Sequence, residues 1–309
     1  MTVNMESLKT ELHCHNIFSN GHVGILEPIH DCSVTIPQQL EQAYMEGLDV
    51  LFVTNHNTID GYKQMLEYKK NHRKFDSLNV YPAEEVTTDN ESHVLVYGID
   101  HAIKSGLSLY EILDEAKKQN AITIAPHPFS LMDALREDSI HCDLFETFNS
   151  SNVDIYSNIK AKKFSEEKNL NVVAGSDSHV KSTIGRCTNL IHSENKLDDV
   201  IHAMKHNKIK INTTGYVQPR EVLEHIRYKI ENSKNYIDWH VSEFYPRSAW
   251  AFSLLYKLYM LSPEGIFCKA LYRVSISMLR RISRKINFEG YNPSIFRERD
   301  LGTIAKMIF

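Results

Sequence analysis

Short β-rich runs alternating with helical stretches fill the first two-thirds of this chain, and histidines or carboxylates stand where those runs begin or end. The candidate strands are Lys9 to His13, Asp49 to Thr54, Asn79 to Glu84, His93 to Ile99, Ala121 to Ala125, Asp143 to Phe148, Asn171 to Gly175, Cys187 to Ile191 and Ile209 to Asn212. Thr35 with Pro37 and Gln38 marks a helix start that runs to Gly47, and Ser108 with Glu111 is a capping-box signal opening Leu109 to Gln119. Two more helices are expected over Val153 to Lys168 and Asp198 to Asn207. Strand, helix, strand repeated in this way predicts parallel pairing with both faces covered. Closure into an α/β barrel would then gather the strand ends at one mouth.

The polar residues at those ends are His13-Cys14-His15, Asn55-His56, Glu84-Glu85, Ser92-His93, Pro126-His127-Pro128 and Ser176-Asp177-Ser178-His179. Residues two apart on a strand share a face, so His13 with His15, and Asp177 with His179, can each aim two donors at one ion. Glu85 follows an aliphatic run, and a carboxylate there can bridge two cations with its two oxygens. His127 lies between prolines, which hold it in a stiff turn. Taken alone, His56, His93 or Glu85 would read as an ordinary polar residue. Imidazole together with carboxylate is the donor set of borderline divalent metals, and the whole array points to a metalloenzyme.

Composition narrows the class. At 309 residues, 42% hydrophobic and 24% charged, the chain can bury a large core. Its five cysteines, Cys14, Cys32, Cys142, Cys187 and Cys268, are scattered and never spaced Cys-x-x-Cys, which argues against a disulfide framework or a zinc finger and for a reducing cytoplasm. We read no signal peptide at Met1 to Thr10 and no spanning helix. The net charge of -4 hides an asymmetry: residues 216–309 hold fifteen basic and nine acidic side chains, or +6, leaving -10 on residues 1–215. We therefore expect a catalytic barrel over 1–215 and a basic, aromatic, mainly helical extension over 216–309.

The motif set resembles that of the PHP (polymerase and histidinol phosphatase) domain family, in matching order. It runs from Glu11-Leu-His-Cys-His15 and Ser19-Asn-Gly21 through Thr54-Asn-His-Asn-Thr58, Gly61-Tyr62, Glu85-Val-Thr-Thr88, His93, Gly98 and Ala125-Pro-His-Pro128. Glu146 with Asn149-Ser150, Gly175-Ser-Asp-Ser-His179 and Ile184-Gly185 complete it. The resemblance implies a distorted seven-stranded β/α barrel holding two or three divalent ions (manganese, zinc, iron or magnesium) and hydrolysing phosphate esters. Carried over, it puts His13, His15, Glu85 and Asp177 at a first metal, Glu85, His93 and His127 at a second, and Asn20, His56 and His179 at a third.

At that third position the chain departs from the pattern. Asn20 stands where an acid is usual, and Asn55 and Asn57 flank His56 where acids are usual, which predicts a weakly held ion. Glu11 replaces a shorter Asp. Metal-assisted hydrolysis is the implied chemistry, with Glu85 and Asp177 central, His22 or His30 as proton donor, and Arg136 and Arg186 as phosphate grips. Nucleotides or short nucleic acids are the expected substrates by analogy. The rivals are a silent barrel that binds a phosphorylated ligand or partner in a regulatory role, and a related barrel that cleaves carbon–nitrogen bonds.

The extension leaves three roles open. Over residues 250–288 seven basic side chains interleave with Phe252, Tyr256, Tyr259, Phe267 and Tyr272, and Cys268 to Ile286 reads as an amphipathic helix. Such a segment can pack on the barrel or a second subunit, lie on an anionic membrane, or grip nucleic acid.

Overall fold

A computed structural model describes residues 7–22, 30–244, 246, 249–262, 265–296 and 306–308. The side chain of Phe252 lies outside the described set, as do the first six residues of the chain.

All nine expected strands form: β1 Ser7–Glu11, β2 Val50–Val53, β3 Asn79–Thr87, β4 His93–Tyr97, β5 Ile122–Ala125, β6 Leu144–Asn149, β7 Val172–Gly175, β8 Thr188–His192 and β9 Ile209–Thr213. They make one sheet in the order β7-β6-β5-β4-β3-β2-β1-β8-β9. Pairing is parallel for β1/β2, β2/β3, β5/β6 and β6/β7. The all-parallel expectation fails at β4, which is antiparallel to both β3 and β5, and at β8 and β9. The reason is connection length. Only residues 88–92 join β3 to β4, far short of the dozen or so a parallel crossover requires. A hairpin carries His93 back to the end of the sheet where β3 finishes.

The sheet curls into a nearly closed, distorted barrel. At the mouth, the segment after β1 meets the segment after β7: Asp177 N–H donates to His13 O (2.7 Å) and His15 N–H to Ser178 O (3.0 Å). Deeper down, the edge of β7 is satisfied by a side chain. The Asn189 amide of β8 accepts from Ala174 N–H (3.1 Å) and donates to Ala174 O (2.8 Å), imitating a strand partner. Gly175 is small for a reason: a Cβ there would clash with the Glu146 carboxylate and lie 2.8 Å from the His13 Cβ.

Helices α1 Ile36–Met45 and α3 Leu109–Lys118 begin at the expected capping boxes, Thr35/Gln38 and Ser108/Glu111. Helix α4, Tyr156–Lys168, starts later than its sequence pattern allows because Ile155 takes a left-handed backbone (φ 64°). Helix α2, Asp60–Lys70, has no side-chain cap and went unforeseen. Helix α5, Leu197–Lys205, buries Val200, Ile201 and Met204 in one cluster with Leu12, Phe52 and Tyr97, plugging the barrel. Beyond β9 come α6 Pro219–Asn232, α7 Lys234–Phe244, α8 Ala249–Leu261 and α9 Ile266–Glu289. Among the described residues, no helix is long and apolar enough to cross a membrane.

Candidate metal centre

Glu85 is buried at the centre of the mouth, and its two oxygens face different partners. Oε2 lies 3.4 Å from His13 Nε2, 3.2 Å from His15 Nε2 and 3.4 Å from His56 Nδ1. Oε1 lies 3.0 Å from His93 Nδ1 and 3.1 Å from His127 Nε2. Asp177 Oδ1 adds a fourth donor near His13 (3.5 Å) and His15 (3.4 Å). Donors about 2.1 Å from a shared tetrahedral ion stand about 3.4 Å from one another, so these separations suit cations between them.

Most of the imidazoles are held by a partner on the far side of the ring, which fixes the nitrogen that faces inward. His13 Nδ1 donates to Glu146 Oε1 (3.1 Å), His15 Nδ1 to Ser19 Oγ (3.1 Å) and His179 Nδ1 to the Asp177 carbonyl (2.9 Å). His127 Nδ1 faces Asp133 Oδ1 at 3.5 Å. Glu146 does double duty, since its Oε2 also accepts from His127 N–H (2.7 Å). His127 and Asp177 both take positive φ (29° and 51°), and such backbone strain in residues other than glycine is typical of functional sites.

Burial disfavours every charge in this pocket, yet mutual attraction wins at most positions. Burial opposes ionisation of Glu85, but His93, His13 and His56 hold it well below the usual carboxylate range. Asp177 is likewise lowered against burial, chiefly by His13 and His15. The histidines respond in kind: against burial, Glu85 lifts His93 to about 9, and Asp133 with Glu85 lifts His127 to about 10. His15 goes the other way, lowered by burial and by His179. Several buried donors have no hydrogen-bond partner among the described residues, including His15 Nε2, His56 Nδ1, His93 Nδ1 and Asp31 Oδ2. Orphaned polar atoms converging on one space fit divalent cations, as does the nitrogen and oxygen chemistry of the set.

The third group corrects the sequence expectation. Asn20 does not face the cluster. Its Oδ1 accepts from the backbone N–H of Asp31 (2.7 Å) and Cys32 (2.9 Å), while its Nδ2 donates to Cys32 O and the Tyr228 hydroxyl. The carboxylate comes from Asp31, whose Oδ2 lies 2.7 Å from His179 Nε2 and 3.5 Å from His56 Nε2. Asn55 and Asn57 are loop braces rather than missing acids: Asn55 bonds Asn16 and Ser19, and Asn57, in the left-handed region at φ 52°, ties His22 O to Thr87. Asp31 could have been flagged only as an acid eleven residues after Asn20.

Helix α6 also reaches this corner. Lys229 Nζ lies 2.6 Å from Asp31 Oδ1, and His225 donates through Nε2 to the Asp31 carbonyl (2.7 Å) while stacking on His179 at 4.7 Å. Burial and then Lys229 push His225 down to about 4, whereas Asp31 holds His179 at about 9 against burial.

The expected phosphate grips are engaged elsewhere. Arg136 bonds Asn287 Oδ1 (2.7 Å) and Ser130 O and lies over the Phe129 ring, pinning α9 to the barrel. Arg186 pairs with Glu221 of α6 and bonds Tyr216 O and Ser182 O. His22 is exposed, with no partner for its ring among the described residues, and His30 packs edge-on to Tyr228. Lys229, Asp31, Asp133 and His225 are the mouth residues that sequence reasoning missed.

A distorted β/α barrel whose mouth gathers histidines around one central carboxylate is the architecture to be set beside known proteins. A family profile described as PHP-associated matches residues 156–209. The uncharacterized protein MJ1587 of Methanocaldococcus jannaschii is 33% identical over 166 residues, covering 52% of this chain and 93% of that protein. PsfC from Pseudomonas syringae superposes with a TM-score of 0.52 at 17% identity, covering 74% of this chain and 99% of that one. The lesion-specific endonuclease PfuEndoQ from Pyrococcus furiosus gives 0.51 at 17% identity, over 70% and 60%. The chain belongs to the PHP domain family.

Proposed function

We propose that this protein is a metal-dependent phosphoesterase. The observation that carries the reading is the division of Glu85, with Oε2 towards His13 and His15 and Oε1 towards His93 and His127. In this reading His13, His15, Glu85 and Asp177 hold one divalent ion, Glu85, His93 and His127 a second, and Asp31, His56 and His179 a third. Bound there, such ions would lower the pKa of a water and offset charge on a phosphate. The chain does the rest. Glu146 fixes His13 with Nε2 inward, Asp133 orients His127, and Lys229 is the cation best placed to meet a phosphate oxygen or leaving group.

We further propose that residues 216–309 work with the 1–215 barrel as one catalytic unit, since α6 supplies Lys229 and His225. The five unpaired cysteines suit a reducing, cytoplasmic setting. Nucleotides or short nucleic acids are a second reading of the substrate, set against the one argued from the apolar groove between α6, α8 and α9, and one feature supports it: a groove where Arg273, Arg280, Arg281 and Arg284 lie beside Tyr156 and Tyr272.

The test is metal analysis of the purified protein with manganese- and zinc-supported assays on p-nitrophenyl mono- and diesters. Turnover abolished by His13→Ala and Glu85→Gln supports the proposal. Bound metal without turnover favours the silent, ligand-binding barrel, and activity on amides alone favours carbon–nitrogen chemistry.

A further inference from the structure

The small pocket at the mouth, of about 100 Å³, is bounded by Asp177 and His179 on one side and by His225, Val153 and Val222 on the other. Val153 and Val222 also line a second, larger cavity of about 350 Å³ between α6, α8 and α9. Its walls are Ile226, Leu255, Leu271 and Leu279 with other aliphatic and aromatic side chains, and no charged residue lines it among the described residues. Tyr259, one of the few polar groups there, already donates its hydroxyl hydrogen to Leu223 O (3.1 Å). Ile226 is 38% exposed, Leu255 41% and Leu271 38%, so the space is an apolar groove open to solvent, large enough for a hydrocarbon chain, and it shares the wall residues Val153 and Val222 with the pocket at the histidine and carboxylate mouth.

The outer surface agrees. Leu261 is 81% exposed and Ile266 89% where α8 gives way to α9, and Trp250, at the start of α8, is 72% exposed. Further along α9, Arg273 and Arg280 have no carboxylate partner among the described residues. Exposed apolar side chains and unneutralised arginines along α8 and α9 suit contact with an anionic lipid surface.

We propose that the phosphate ester accepted here carries a hydrocarbon chain, with the chain in the cavity between α6, α8 and α9 and the phosphate at the histidine and carboxylate mouth. This rests on the phosphoesterase reading and names its substrate class. Val153 and Val222 form the threshold between head and tail.

The experiment compares butyl, octyl and dodecyl phosphate, below their micelle concentrations, with a nucleoside monophosphate and a short oligonucleotide. Burial of added methylenes predicts that kcat/KM rises at least about tenfold from butyl to dodecyl phosphate. In Leu271→Trp and Leu279→Trp, two fillings of the cavity chosen so that one misfolded variant does not decide the outcome, the dodecyl-to-butyl ratio should collapse towards one. A ratio near one in the wild type, or preference for the nucleotide or oligonucleotide over dodecyl phosphate, overturns the proposal and leaves the phosphoesterase reading intact. If no ester is turned over, that reading fails, and calorimetry decides the cavity separately. Saturable binding of dodecyl but not butyl phosphate, weakened by Leu271→Trp, supports the chain site; equal or absent binding overturns it.

Discussion

Lys229 Nζ sits 2.6 Å from Asp31 Oδ1, while the other oxygen of the same carboxylate lies 2.7 Å from His179 Nε2. A residue of the C-terminal helices thus competes for the acid that completes the third group. Its ammonium repels any cation placed there. Lys229→Met is therefore expected to tighten the weakest metal by about tenfold, equivalent to about 1.4 kcal/mol, while raising KM for a phosphate ester. Metal titration with steady-state kinetics measures both, and unchanged metal affinity would place the Lys229 ammonium outside the metal's field.

Asp31, not Asn20, should govern that third ion. Asp31→Asn is expected to remove about one equivalent of bound metal and to cost about 10- to 100-fold in activity. Asn20→Asp should not add metal, because the side chain faces Cys32 and Tyr228 and would only lose its donors to them. Elemental analysis of the two variants separates the roles.

Metal uptake should release protons. His93 and His179 at about 9 and His127 at about 10 are protonated at neutral pH without metal, raised by Glu85, Asp31 and Asp133 against burial. A cation must displace those protons, so affinity rises as pH climbs from 6 towards 9 and falls in acid. Calorimetry in buffers of different ionisation enthalpy reads the number released. Chelation, conversely, should lower the melting temperature, by the equivalent of about 2.7 kcal/mol relative to protein at 100-fold excess of metal over Kd.

Glu84, beside the site but pointing away from it, accepts from Ile103 N–H (2.9 Å) and is pushed up to about 8 by burial. A carboxyl raised in the folded state favours folding while protonated, so its stabilisation is complete below the unfolded value of 4.5 and is lost as pH rises through about 8. Glu84→Gln cannot ionise. It should exceed the wild type in stability above pH 8 by on the order of 5 kcal/mol and nearly match it at pH 5, as denaturant titrations at the two pH values would reveal.

Gly175→Ala places a methyl against Glu146 and 2.8 Å from the His13 Cβ. Overpacking of this kind costs about 1–3 kcal/mol. Because Glu146 also orients His13 and His127, metal affinity should fall together with the melting temperature. A loss of stability alone would argue that Glu146 relaxes without moving the rings.

Local chemistry was legible in the chain itself. Apolar runs gave nine strands, Thr35/Gln38 and Ser108/Glu111 opened α1 and α3, and the histidines and acids at strand ends were picked out because their residue types carry metal chemistry wherever they fold. Helix α2 escaped because it begins without a cap, and the reversal of β4 was readable only by weighing five linking residues against a crossover. Tertiary structure alone decided which acid completes the third group. Asp31 is held there by the Asn20 amide oxygen, which accepts from its backbone N–H, and Lys229 and His225 arrive from residues nearly 200 positions onward. Arg136 and Arg186 looked available because sequence shows a charge but not its partner. Folding gave them Asn287 and Glu221 instead. Secondary structure follows from neighbours along the chain, whereas the ownership of a buried charge is settled by whatever distant group lies within a few ångströms.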